Sequence, residues 1–230
     1  MIQNRQIDAY LKKRDLKQHE KELLKKIKND YPVFKGNYLD IGCSNGNFIK
    51  EIYKDYPDAQ YIGIDISEDL IEMAKNNLTN INNISFFVQD FIHYQPGSKF
   101  DIIVASGVLS IFENFETFLD KCLSWLSISG RLYIFGRFNS RNIDTIVRFR
   151  NNYRGGDWES GLTSFSVHTI SNYLDRKGFK YSFNRFKLDV ELKEANDPIR
   201  TYTIRTADES LLVVNGANIV AEHYFLTVFL

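Results

Sequence analysis

From Lys35 onward the chain alternates short apolar, β-branched runs with segments of helical period. No other feature limits its fold as much. Strands are expected over 37–41, 60–64, 84–88, 100–105 and 130–135, and helices over 47–54, 68–78 and 113–126. The strand runs are apolar nearly throughout, which suits a parallel sheet covered on both faces. Right-handed crossovers make such a sheet doubly wound, with ligands outside the carboxyl ends of its strands. The loops after Ile41, Ile64, Val88 and Ala105 are therefore where chemistry is expected.

The flanks are less regular. Residues 5–29 have helical period, with Ile7, Leu11, Leu23, Leu24 and Ile27 as the apolar positions. Lys12, Lys13, Arg14, Lys17, Lys21, Lys25, Lys26 and Lys28 make this end basic. That reads as a solvated helix face or, functionally, as part of a substrate cover or a contact for an anionic partner. Tyr31-Pro32 closes it, because the residue before proline is pushed out of helix. After Phe135, a helix over 169–177 ends at Gly178, a good left-handed cap. A strand over 179–188, a hairpin of 201–205 with 211–214, and a last strand over 223–230 follow. The expectation is one domain over 1–230: a helical cover (1–34), a core (35–137), and an acceptor-side region with the last strands and a small lid (138–230).

Composition removes several function classes. Lys and Arg total 29 against 29 Asp and Glu, so a protein living on nucleic-acid phosphates is not expected. Two cysteines, Cys43 and Cys122, cannot build a disulfide framework or a cysteine zinc site, and suit a reducing cytoplasm. No apolar run is long enough to span a bilayer, and no secretory signal is visible at the start.

The segment LDIGCSNGNF carries the most information. A glycine-rich turn between strand and helix lets a ligand approach the backbone, and the helix start offers free N–H groups. Asp40 precedes the turn, Asp65 ends the next strand, and Asp90 follows the third. A carboxylate at Asp65 can accept both hydroxyls of a ribose.

With YIGIDIS, FFVQDF and FDIIVASGVL in order, these residues resemble the class I S-adenosylmethionine-dependent methyltransferases, over about Tyr38 to Phe135. The resemblance implies a Rossmann-like, mostly parallel seven-stranded sheet with an antiparallel last strand. It implies S-adenosyl-L-methionine as cofactor and S-adenosyl-L-homocysteine as product. Gly42, Ser44 and Gly46 would form the turn under the methionine part, and Asp40 would hold its ammonium. Asp65 would take the ribose, Ile66 and Phe91 would lie beside the adenine, Asp90 would accept from its amino group, and Ala105 would offer a carbonyl. Ser44 departs from the family, which often has glycine there. No metal is expected, since Ala105-Ser106-Gly107-Val108 lacks the acidic residue of metal-dependent relatives. The Asn/Asp-Pro-Pro-Tyr/Phe signature of amino-methylating DNA enzymes is also missing. DWESG and DPIRTYTI resemble bacterial sugar and surface-polysaccharide methyltransferases.

The acceptor is thus expected to be a small molecule methylated on O or N, by a monomer or homodimer. His223 and His168 are the first candidates for a base, with Glu159, Asp157, His93 and Tyr224 behind them. Arg137, Asn139, Trp158, Arg148 and Arg200 are candidates for acceptor contacts. Two rivals compete. Gly42–Gly46 also fits the hydrolase elbow G-x-S-x-G, with Ser44 as nucleophile. A non-catalytic S-adenosylmethionine-binding module would keep the same turn.

Overall fold

A computed structural model describes residues 15–152, 156–195, 197 and 199–230. Among the described residues, five α-helices surround the main sheet: α1 (Gln18–Asp30), α2 (Asn47–Asp55), α3 (Glu68–Asn77), α4 (Phe115–Trp125) and α5 (Val167–Lys177). The strands are β1 (Asn37–Ile41), β2 (Gln60–Asp65), β3 (Ile84–Val88), β4 (Phe100–Ser106), β5 (Leu126–Asn139), β6 (Arg148–Phe149), β7 (Glu159–Ser160), β8 (Phe165–Ser166), β9 (Lys180–Phe186), β10 (Tyr202–Arg205), β11 (Leu211–Val214) and β12 (His223–Phe229). The sheet order is β3-β2-β1-β4-β5-β12-β9, with β8 added beside β5. β1 to β5 run parallel, and β12 lies antiparallel between β5 and β9. The reversal of strand order at β1 and β4 opens a crevice above their carboxyl ends.

Each strand of the sheet's centre sends alternate residues to opposite faces. Leu39, Ile41, Ile103 and Ala105 pack with Phe118 and Cys122 of α4 and Ile170 and Leu174 of α5. Tyr38, Ile102, Val104 and Tyr133 pack on the other face with α1, α2 and α3. α1 contributes Leu23 and Ile27, both fully buried, from an otherwise lysine-rich helix. Truncating such a side chain to alanine costs about 2–5 kcal/mol. Asp40 shares the face of Tyr38, and so lies on the α1 side.

The fifth strand differs from the sequence expectation. β5 starts directly after α4, and Ser129-Gly130 lies inside it instead of before it. The register slips here, from Phe100 opposite Leu126 to Ile102 opposite Arg131. A Cβ on Gly130 would stand 2.7 Å from the Phe100 carbonyl oxygen, so a turn-like dipeptide serves a bulge. The anticipated hairpin forms as β10–β11, and β6–β7 form a second small ribbon that periodicity did not reveal. Residues 5–14 of the expected N-terminal helices, with Lys12, Lys13 and Arg14, lie outside the described residues.

Candidate active site

The turn after β1 is built by backbone geometry. Gly42, Ser44 and Gly46 have φ of 72°, 53° and 73°, all left-handed. Glycine adopts this without penalty and serine does not. That is the physical content of the family's glycine at position 44. A Cβ on Gly42 would meet Val108 at 2.7 Å, and one on Gly46 would meet the Phe86 ring at 2.8 Å. The N–H groups of Gly42 and Cys43 donate to the Ile64 carbonyl at 2.8 and 3.0 Å, pinning the turn to β2.

Asp65 binds the next layer together. Its Oδ2 accepts from the Ser44 N–H at 2.9 Å and its Oδ1 from the Ser67 N–H at 3.0 Å. Ser67 in turn caps α3. Each Asp65 oxygen keeps lone-pair capacity for a further donor. Asp90 accepts from the Ile92 N–H at 2.9 Å, and its carbonyl accepts from His93 and Tyr94, forming a tight turn beyond β3. Asp40, Asp65 and Asp90 thus stand at the carboxyl ends of three adjacent strands, along one rim of the sheet. Ala105, fully buried in β4 and in register with Ile41 and Ile134, lies beside them.

Asp40 is the most unusual group on this rim. It is 4% exposed. Among the described residues, none donates a hydrogen bond to its carboxylate or pairs with it. Burial pushes its carboxyl well above the usual range, and the negative charges of Asp65 and Glu20 push it further. A buried carboxylate without a counter-charge is costly unless a cation supplies one. A methionine ammonium above the turn meets that need, beside a glycine-lined backbone and a ribose-ready Asp65. The residues therefore fit an adenosyl sulfonium of the S-adenosylmethionine type.

The other expected residues divide. His223 and Arg137 stand opposite each other on β12 and β5. Burial, and then the Arg137 charge, pull the His223 imidazole down to about 4, so its ring is neutral at pH 7. The Phe91 side chain is buried against Phe112, Phe118 and Trp125. Ile66, 46% exposed, remains available beside Asp65. Asn139 spends its side chain on its own loop, donating to the Ile143 carbonyl and accepting from the Arg141 N–H. Trp158 is 62% exposed, with the Arg150 guanidinium 5.8 Å from its ring. His168 sits exposed in the first turn of α5 and contacts Asn172. The hydrolase rival fails on geometry, because the Ser44 Oγ is buried with no hydrogen-bonding base.

Sequence reasoning missed His19 and Phe135. The imidazole of His19 stacks on the Phe135 ring at the end of β5, and His223 stacks there as well. His19 sits among the lysines of a helix read as a solvated face, a substrate cover or a contact for an anionic partner, and nothing in that pattern singled it out. Phe135 looked like one more apolar strand residue.

A doubly wound sheet with a glycine turn at the switch point and carboxylates on three successive strand ends defines a Rossmann-like methyltransferase architecture. A family model described as a methyltransferase domain matches residues 35–174, and the chain belongs to that family, within the class I S-adenosylmethionine-dependent methyltransferases. The malonyl-[acyl-carrier protein] O-methyltransferase 2 of Ilyobacter polytropus is 29% identical over 153 residues, 66% of this chain and 57% of the relative. An uncharacterized protein of Haemophilus influenzae is 32% identical over 183 residues, 76% of this chain and 65% of the relative. The chain thus spans less than two thirds of the length of these relatives. Among solved structures, DhpI with S-adenosylhomocysteine superposes with a TM-score of 0.60 at 13% identity, covering 91% of this chain and 84% of that one. Coclaurine N-methyltransferase, bound to N-methylheliamine and S-adenosylhomocysteine, gives 0.60 at 15% identity, covering 77% and 55%. At these identities the likeness is one of fold. Among the described residues, no helix is long and apolar enough to cross a membrane.

Proposed function

We propose that this chain binds S-adenosylmethionine over the β1 turn and methylates an oxygen of a small anionic acceptor, with a carboxylate as the preferred nucleophile. The observation that carries the cofactor reading is Asp40, a buried carboxylate whose nearest charges are negative and whose need is a cation. When bound, S-adenosylmethionine supplies an electrophilic methyl group on a positively charged sulfur. Asp40 orients the ammonium end, Asp65 takes the ribose hydroxyls, and Asp90 with the Phe91 backbone meets the adenine. Alignment in a dry crevice then provides most of the rate.

The acceptor reading rests on Arg137 and His223. A hydroxyl nucleophile needs a base near neutrality, and an imidazole held at about 4 is a poor one. A carboxylate is already ionised and needs only a cation and a donor to hold it. Arg137, 9% exposed, supplies the charge. The malonyl-acyl-carrier-protein relatives, whose name specifies O-methylation, point the same way. The domain division reads accordingly, with 35–137 for the cofactor and 1–34 and 138–230 around the acceptor. Two buried free cysteines suit a cytoplasmic setting.

Calorimetry with S-adenosylhomocysteine tests the cofactor, with micromolar affinity expected. Mass spectrometry of malonyl-CoA incubated with enzyme and S-adenosylmethionine tests the acceptor, a methyl ester being the expected product. Absence of binding defeats the whole reading. Binding without methylation across carboxylates, alcohols and amines would mark a binding module instead.

A further inference from the structure

The ring contacts at the end of β5 single out His19. Its imidazole stacks on Phe135 with centroids 4.2 Å apart and planes 6° apart, and it meets Phe186 edge-on at 6.1 Å. Phe135 thus carries two imidazoles, one from α1 and, at 5.5 Å, His223 from β12. Three links tie this group to the methionine end of the cofactor site. Phe135 pairs with Ser106, the last residue of β4, and its carbonyl accepts from the Gly107 N–H at 2.7 Å. Val108, the next residue, packs over Gly42. Glu20, the neighbour of His19, lies close enough for its charge to act on Asp40. The first turn of α1 therefore lies over the rim between β1 and β5.

Resting on the anionic-acceptor reading above, we infer that His19 is an acceptor-side residue: seated on Phe135, its ring hydrogen-bonds the acceptor and, with Arg137, sets where the acceptor oxygen stands. Stacking uses the face of an imidazole, whereas its nitrogens lie on the edge. An N–H there donates to the carboxylate oxygen that does not take the methyl group. Arg137 holds the overall charge, and His19 selects the orientation. Charged and titratable groups around this ring include Glu20 on α1, Asp40 below, on which Glu20 acts, and Arg137 with His223 beyond Phe135.

The test uses the full chain with His19→Phe, which keeps the stack and removes both nitrogens, and His19→Ala. Turnover of malonyl-CoA is followed by S-adenosylhomocysteine release. Both variants are expected to lose about tenfold or more in kcat/KM, with S-adenosylhomocysteine affinity within about threefold of the wild type. Wild-type kcat/KM in His19→Phe would overturn the inference, since packing alone would then explain the residue. If the wild type leaves malonyl-CoA unchanged, the acceptor reading fails, and the placement of His19 is read separately by NMR of the labelled imidazoles. S-adenosylmethionine carries a sulfonium charge that S-adenosylhomocysteine lacks. The His19 ring resonances should differ by about 0.1 ppm or more between the two complexes, and those of His93 and His168 should not. Identical His19 resonances in both complexes overturn it.

Discussion

Replacing Asp40 with asparagine should move stability and ligand affinity in opposite directions. The two side chains have nearly the same shape, so packing against Tyr38 and Val104 is kept while a buried charge is removed. In the ligand-free protein that charge is 4% exposed and faces Asp65 and Glu20. Its removal should raise stability by about 1–2 kcal/mol, near the low end for neutralising buried charges. For a chain of this length that is about 2–8 °C in Tm. The ammonium of the cofactor loses a charge-assisted partner, worth about 1.5–3 kcal/mol, or roughly 10–150-fold in Kd. The gain in stability also has a pH signature. The carboxyl of Asp40 is raised in the folded chain above its ordinary 3.8. Below pH 3.8 it is protonated in both states and costs nothing. As pH rises through the folded value, the native state must carry the charge and stability is lost. The advantage of Asp40→Asn should therefore vanish toward pH 4 and grow as pH rises above 3.8. Urea titrations from pH 4 to 8, with and without saturating S-adenosylhomocysteine, measure both effects. A variant that is less stable when ligand-free, or that binds as tightly as wild type, would refute the reasoning.

Ser44→Gly should stabilise the chain by about 0.5–1 kcal/mol in urea unfolding, because it relieves a left-handed φ of 53°. Cofactor affinity should survive, since only the backbone N–H of this residue meets Asp65. Asp65→Ala leaves the N–H groups of Ser44 and Ser67 without their acceptor. It should weaken S-adenosylhomocysteine binding at least about tenfold by calorimetry and cost about 1–3 kcal/mol of stability. His223 is lowered to about 4, so its share of stability is present above pH 6.5 and lost as pH falls toward 4. His223→Gln should flatten the decline of the urea midpoint across that window.

The sheet and its rim were legible because they depend on local pattern. Apolar runs set the strands, and Gly42, Gly46, Asp40, Asp65 and Asp90 fall at strand ends whatever the tertiary detail. What escaped depends on long-range packing. Phe91 follows a strand, and its packing among Phe112, Phe118 and Trp125 is set by residues far from it in the chain. Gly130 reads as a turn residue until the Phe100 carbonyl is seen beneath it. His19 acquires a role only when α1 folds back onto β5, a contact between segments far apart in the chain.

The strand order leaves β3 at one margin of the sheet, with no strand paired to its outer side among the described residues. Its five residues, Ile84 to Val88, include no charge and no proline, and Phe87 and Val88 are each 47% exposed. Proteins ordinarily guard such a margin with lysine, proline or a bulge, because its free peptide groups will accept a stray extended segment. In concentrated solution this margin is where copies of the chain would begin to clump, and a Phe87→Lys exchange would blunt it from a position that no proposed cofactor or acceptor contact uses.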